Sequence, residues 1–171
     1  MIFWKRWRTE SAIEQQIQTY LPMLERIVAS FESRHALQQE LLQEVVVAIW
    51  QAADNYSGDA SMKTYMARIA QNRCVTHVDR SVRQPLCVEM EPHHDNSVTV
   101  GLSVNEDQQW QRLMQQIRLL PLQQKQVLSL MLEGFSYKDI ADICGLSESN
   151  VGVLINRGKA TLNKQLGQGA A

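Results

Sequence analysis

The sequence predicts an all-α protein: two small helical domains joined by a flexible acidic linker, the second containing a helix-turn-helix. Three observations lead there. Apolar residues recur at helical spacing from residue 11 to 83 and again from 105 onward, and no alternating pattern longer than a few residues competes with them. From 84 to 108 the periodicity stops, and Pro85, Pro92, Gly101 and scattered acids take its place. Residues 137–162 carry two short helical patterns hinged on Gly145.

The first helix is placed at 11–31, where Ile13, Ile17, Tyr20, Leu21, Leu24, Ile27, Val28 and Phe31 share one side. Residues 36–53 differ. Leu37, Leu41, Leu42, Val45, Val46, Ile49 and Trp50 wrap most of that helix, so it must be covered on more than one side. Its one polar arc holds Glu40, Gln43, Glu44 and Gln51, with Val47 among them. NYSGD at 55–59 is a turn by composition, and Ser61 can cap a third helix over 62–83, closed by Pro85. Arg73 and His77 fall on the inward side of that helix, where a satisfied boundary histidine is expected. After the linker, Trp110, Leu113, Met114, Ile117 and Leu120 are in register over 105–119, Pro121 breaks the chain, and a helix over 123–133 ends at Gly134. The domains are therefore 1–83 and 109–171, with 84–108 between them.

Composition excludes several classes. Apolar runs of only a few residues do not span a bilayer, so no stable membrane insertion is expected. MIFWKRWR at the start has charges inside its apolar part and no small-residue cleavage site, unlike a secretory signal. Trp4 and Trp7 with three cations could touch anionic lipid, but a frayed lead-in to the first helix is the simpler reading. Three widely separated cysteines, Cys74, Cys87 and Cys144, argue against a disulfide framework and for a reducing cytoplasm. Cys87 with His93, His94 and Asp95 has no metal-ligand spacing. With no nucleophile–base pair, phosphate loop or metal set, no enzyme activity, cofactor or small-molecule substrate is expected.

In the second domain, Ser136 with Asp139 three residues on resembles a capping box. Ile140 and Ile143 face inward, and Ala141 is small where a second helix crosses. Gly145 stands where the first helix stops and φ must be positive. Leu146 plugs the turn, and Ser147 caps the next helix. On that helix Val151, Leu154, Ile155, Gly158 and Leu162 cluster on one side, leaving Ser149, Val153, Asn156 and Ala160 outward, flanked by Arg157 and Lys164. Amides and hydroxyls can bond base edges, cations can hold phosphates, and a valine can touch a thymine methyl.

Charge complicates this reading. Seventeen Lys+Arg stand against eighteen Asp+Glu, a formal net charge of −1. The balance is uneven: residues 84–111 hold Glu89, Glu91, Asp95, Glu106 and Asp107 and no cation, and residues 9–50 are also acidic. Cations concentrate in the first eight residues and beyond 51 outside the linker. Local field governs phosphate contact, yet the excess is small, so binding to free DNA should be weak and salt-sensitive.

LPLQQKQVLSLMLEGFSYKDIADICGLSESNVGVLINRGKATL resembles the promoter-reading domain of bacterial RNA polymerase sigma factors of the extracytoplasmic-function type. LLQEVVVAIW followed by YSGDASMKTYMARIAQNR resembles the same family's amino-terminal domain. The resemblance implies a transcription initiation factor that binds core RNA polymerase and promoter DNA and aids strand opening, with an anti-sigma factor as a further partner. It places core-polymerase docking on Glu40, Gln43, Glu44, Val47 and Gln51. It places the minus-ten element on Asn55, Tyr56, Ser57, Lys63, Arg68, Asn72, Thr76, Arg80 and Arg83, with a base flipped into the 55–63 turn. It places the minus-thirty-five element on Lys138, Ser147, Ser149, Asn150, Val153, Asn156, Arg157 and Lys159. Departures are specific. Thr76 stands where the family often has Asp, Asp79 where it has Arg, Gly152 where Lys is common and Leu154 where Arg is common. The alternative is a stand-alone helix-turn-helix regulator that uses the second domain only and binds a two-fold site as a dimer.

Overall fold

The computed structural model describes residues 2–83 and 104–168, and among these every regular element is helical. α1 (Ile2–Ala29), α2 (His35–Ala52) and α3 (Met62–Arg83) form one module, with a 3-10 turn at Ala53–Asn55. α4 (Val104–Arg118), α5 (Leu122–Leu132), α6 (Tyr137–Cys144) and α7 (Glu148–Gln168) form the other. α1 starts nine residues earlier than its apolar stripe suggests. It also runs through Pro22, which removes one backbone donor in the helix interior. Ile17, Met23, Leu24, Ile27 and Val28 are buried on both sides of that proline, so packing holds the helix across the missing bond.

α2 is covered on two sides, as its apolar circumference requires: it packs on both α1 and α3, and Leu41, Val45 and Ile49 are fully buried between them. The α1–α2 corner is organised by Glu32, which is only 6% exposed. Its carboxylate accepts the Arg34 backbone N–H (2.9 Å) and both arms of the Arg34 guanidinium (3.1 Å each), and His77 Nε2 lies 2.9 Å from it. The inward histidine is thus satisfied by a buried carboxylate. Burial pushes the Glu32 acid upward, but the hydrogen bonds from Arg34 and His77 outweigh it and hold the pKa at about 2.

The second module packs α5 against α6 and α7, with α4 closing over α5 and α7. Met114, Ile117 and Leu120 are buried from α4, and Val127, Leu128 and Leu130 from α5. α4 begins at Val104, so 104–108, assigned to the linker from sequence, are the first turn of this helix. The rest of the linker, 84–103, lies outside the described residues, as do Cys87, His93, His94 and Asp95. Burial pushes the Cys144 thiol up to about 11 and the Cys74 thiol further still, so both are held as neutral thiols. No described helix is long and apolar enough to cross a membrane.

The two modules share one core. α3 packs on α6, and both α1 and α3 reach α5. Sequence periodicity did not foretell this: it predicts which side of each helix is buried, not which helix covers it.

Two glycines of α7 separate packing from propensity. A Cβ on Gly158 would stand 2.5 Å from Leu128 Cδ1, and Leu128 is locked at 1% exposure, whereas a Cβ on Gly152 meets only Tyr137 Cε2 at 3.6 Å. Urea unfolding should show Gly152→Ala more stable by about 0.5–1 kcal/mol. Gly158→Ala should be less stable by about 1 kcal/mol, because overpacking exceeds the propensity gain. Glu32 makes the second prediction. Its folded pKa lies below the unfolded one, so its contribution is complete above about pH 4.5 and fades as the pH falls toward 2. Glu32→Gln should therefore cost about 2 kcal/mol at pH 7 and far less at pH 2.5, by urea titration at both pH values.

Candidate nucleic-acid interface

The recognition unit is built by short-range hydrogen bonds that the sequence spells out. Ser136 Oγ accepts the Asp139 N–H (3.1 Å), and Asp139 Oδ2 accepts the Ser136 N–H (3.3 Å), completing the capping box of α6. Gly145 takes φ 67° and ψ 38°, and the Leu146 N–H reaches back to the Ala141 carbonyl (2.9 Å), turning the chain. Ser147 Oγ then accepts the Asn150 N–H (3.2 Å) and starts α7. Ile140, Ala141 and Ile143 pack under Val151, Leu154 and Ile155, all buried.

With that side inward, Ser149, Asn150, Val153, Asn156, Arg157, Lys159 and Ala160 are all exposed along α7. Val153 is 44% exposed, a large apolar group among polar ones. Ser147 is exposed too, and with its oxygen engaged as a cap its hydroxyl proton is the part left for an outside acceptor. Lys138 lies apart on α6, exposed. Leu154, where a cation is frequent in the resembling family, is 7% exposed and belongs to the core.

The first module presents a second stripe. Arg68, Asn72, Thr76, Arg80 and Arg83 are exposed along α3 at helical spacing. Thr76 Oγ1 bonds the Asn72 carbonyl (2.9 Å), and Arg80 lies 3.7 Å from Glu44 of α2, an exposed pair of little energetic weight. The 55–63 turn is less free than its composition suggests. The Tyr56 hydroxyl donates to the Ala60 carbonyl (2.6 Å), the Tyr65 hydroxyl to the Ala52 carbonyl (2.7 Å), and the two rings meet at 5.1 Å. Ser57 Oγ donates to Asp59 Oδ2 (2.6 Å), and Asn55 is exposed. The two tyrosines thus brace the turn, and Tyr56 is half-buried.

Lys63 is placed differently from the other predicted minus-ten residues. Its ammonium donates to the Glu133 carbonyl (2.7 Å) and sits 4.5 Å from the centre of the Phe135 ring, so it is spent on the second module. An open cleft of about 460 Å³ lies between the modules there. Lys63, Arg68 and Lys138 line it together with Asp59, Asp139 and Asp142. Three predicted DNA cations thus share a cleft with three carboxylates, which offset their field there.

The polar arc on α2 is intact: Glu40, Gln43, Glu44, Val47 and Gln51 are all exposed, and Trp50 borders them at 39%. It carries two acids, and Val47 is 52% exposed.

Residues 16–84 match the family described as Sigma-70 region 2, and residues 110–162 match Sigma-70, region 4. The chain belongs to the sigma factors of the extracytoplasmic-function type. Among curated relatives, SigM of Mycobacterium tuberculosis is 22% identical over 159 residues, covering 91% of this sigma factor and 78% of the relative. SigG of the same organism is 35% identical over 48 residues, and the matched stretch spans only 13% of that relative's length and 28% of this chain. Among solved structures, the sigma factor RpoE of Bartonella quintana, in complex with the anti-sigma factor NepR, superposes with a TM-score of 0.69 at 22% identity, covering 90% of this chain and 95% of that one. CnrH in complex with the cytosolic domain of CnrY superposes with the same TM-score at 19% identity, over 93% of this chain and 90% of the other.

The sequence missed the inter-module residues of this sigma factor, chiefly Lys125, Ser129 and Glu133 of the α5 face and Arg26 opposite. Their i, i+4, i+8 spacing was visible, but polar residues on a helix usually face water. The capping box gives the local test. Asp139→Ala should lower stability by about 1 kcal/mol in urea titration, because the Ser136 N–H and the Ser136 hydroxyl proton both lose the Asp139 carboxylate as acceptor.

Proposed function

We propose that this sigma factor binds core RNA polymerase and directs it to specific promoters. In this reading the α2 arc docks on the polymerase, the outer face of α7 with Lys138 reads the minus-thirty-five element in duplex form, and the 55–63 turn with the outer side of α3 takes the minus-ten element as an opened strand. One observation carries it: a single chain pairs the α7 stripe with a separate α3 stripe, and both face outward. The two stripes suit different states of DNA. α7 offers a narrow helix face for a major groove, whereas α3 and the turn offer cations, amides and small polar groups beside apolar ones, which fits an unstacked strand.

A net charge of −1 is consistent with a factor that reads DNA only while carried. Once the polymerase holds one module near the promoter, the second contact is effectively intramolecular and needs little affinity of its own. A stand-alone regulator would leave the region 2 match without a role. Because the two solved neighbours were captured with an anti-sigma factor and with the cytosolic domain of CnrY, a protein inhibitor is a further proposed partner.

Core polymerase supplied with this chain should produce transcripts with defined starts from a promoter library, and core enzyme alone should not. Absence of promoter-specific starts under all salt conditions would overturn the proposal. Asn156→Ala should relax preference at one minus-thirty-five position by about 1–3 kcal/mol, as a base-edge contact does. Arg157→Ala should weaken all sequences alike and reduce the salt slope by about 1, as a phosphate contact does.

A further inference from the structure

The first turns of α1 are left unused by the promoter-reading function. MIFWKRWR carries Lys5, Arg6 and Arg8 and no acid, and its remaining residues are all apolar. The lead-in is not frayed: α1 is helical from Ile2 and runs without a break into the part that packs in the core. Helical rise puts Ile2 about 16 Å along the axis from Ile13, where the described core begins.

The pattern of this arm does not continue the core stripe. At about 100° per residue, positions 3, 4 and 7 fall within an arc of about 100°, centred roughly 100° away from the buried Ile13 and Ile17. The same arc is in line with Glu14, Gln18 and Pro22, all exposed on the side of α1 that the module leaves open. Phe3, Trp4 and Trp7 thus hold positions on a helix side for which the module supplies no cover further along. Positions 6 and 8 border the arc on its two sides, and position 5 lies behind it.

That combination fits one kind of surface. A helix with an aromatic side and bordering cations binds in the interface of a lipid bilayer, where tryptophan rings suit the headgroup boundary and Lys and Arg meet anionic phosphates. A DNA duplex offers phosphates but no apolar layer to receive three aromatic rings. An arm of about 16 Å is about half the thickness of the hydrocarbon core, so the contact is peripheral. Charge confines it to the arm. Residues 9–50 hold six acids against two cations, and Glu14, Glu25, Glu40 and Glu44 belong to the helices beyond the arm. At physiological ionic strength fields are screened within about 8 Å, half the length of the arm, so an anionic surface attracts the tip without strongly repelling the acidic body.

We propose that the amino-terminal arm of α1 docks this sigma factor reversibly on anionic phospholipid, with Phe3, Trp4 and Trp7 entering the headgroup boundary and Lys5, Arg6 and Arg8 meeting lipid phosphates. Neither part is sufficient alone, because short peripheral anchors need an apolar and an electrostatic contribution together. None of the six residues is assigned to promoter DNA or to polymerase, so the proposal stands apart from the promoter-reading function.

The experiment uses the full chain as wild type, the double variant Trp4→Ala/Trp7→Ala, the triple variant Lys5→Gln/Arg6→Gln/Arg8→Gln, and Trp50→Ala, which removes an exposed tryptophan outside the arm. Each is floated with vesicles of phosphatidylcholine alone and of phosphatidylcholine with about 30% phosphatidylglycerol, at about 50 and about 500 mM salt. The wild type should float with the anionic vesicles at low salt, and about tenfold less with neutral vesicles or at high salt. The double and triple variants should each lose about tenfold of the anionic binding, and the triple variant should also lose the difference between the two vesicles. Trp50→Ala should float like the wild type. Promoter-specific transcription with core polymerase should stay at the wild-type level in the double and triple variants. Wild-type binding that ignores lipid charge or salt needs no variant to interpret and would sink the proposal. Arm variants that float like the wild type, or an equal loss in Trp50→Ala, would sink it as well. Poor transcription by the arm variants, with no flotation of the wild type, would assign the arm to polymerase or nucleic acid instead. Failure of the wild type to direct any promoter-specific transcript would count against the function alone and leave the flotation result standing.

Discussion

Helix α5 is covered on two sides, with Gln123 and Leu132 left exposed. Val127, Leu128 and Leu130 close the helix-turn-helix core, while Lys125, Ser129 and Glu133 are covered by the amino-terminal module. Such a helix cannot be relocated without exposing either an apolar side or a set of paired polar groups. The two kinds of burial differ in reversibility. Apolar burial against α6 and α7 is lost only by unfolding the module, since water offers no substitute. A polar stripe released from its partners is rehydrated, so the net loss is small compared with the gross interaction. The helix thus has an apolar interface on one side and a polar one on another, the polar stripe ending at its C-cap Glu133.

The distribution of charge follows the same division. A chain with a formal charge of −1 has no general attraction for DNA, and its cations act where they are grouped and exposed. Arg157 and Lys159 on α7 and Arg80 and Arg83 on α3 are so placed. Lys63 and Lys125 are instead directed into the molecule, where they sit against aromatic rings. In the cleft, Asp59, Asp139 and Asp142 offset the cations that remain. The contact between the modules therefore hides little of the recognition helix but changes the field at the place where they meet.

Most of the individual elements were legible in the residues. The capping box at Ser136 and Asp139, the positive φ of Gly145, the Ser61 and Ser147 caps and the inward set of α7 all stand as their spacing dictates. His77 was expected to be satisfied, though nothing in its neighbourhood along the chain named Glu32, 45 positions away, as its partner. α1 exceeded its apolar stripe because continuation of a helix adds one bond per residue once the nucleus exists, and Pro22 did not stop it. The 55–63 segment reads as a turn from its glycine, serine and aspartate, and two tyrosine hydroxyls brace it, Tyr56 on the Ala60 carbonyl within the turn and Tyr65 on the Ala52 carbonyl 13 positions away.

The sequence by itself determined the helices, their caps, the hinge and the faces of α2, α3 and α7 that remain outside, because each depends on side chains a few positions apart along a repeat of 3.6 residues. Tertiary structure alone decided that Glu133 meets Arg26, that Gln71 meets Ser129, and that Lys63 is turned inward instead of toward DNA. Those pairings join residues 107, 58 and 70 positions apart. A polar residue at helical spacing reads the same whether water or a distant carboxylate will be its partner, and only the packing of the two modules selects between them.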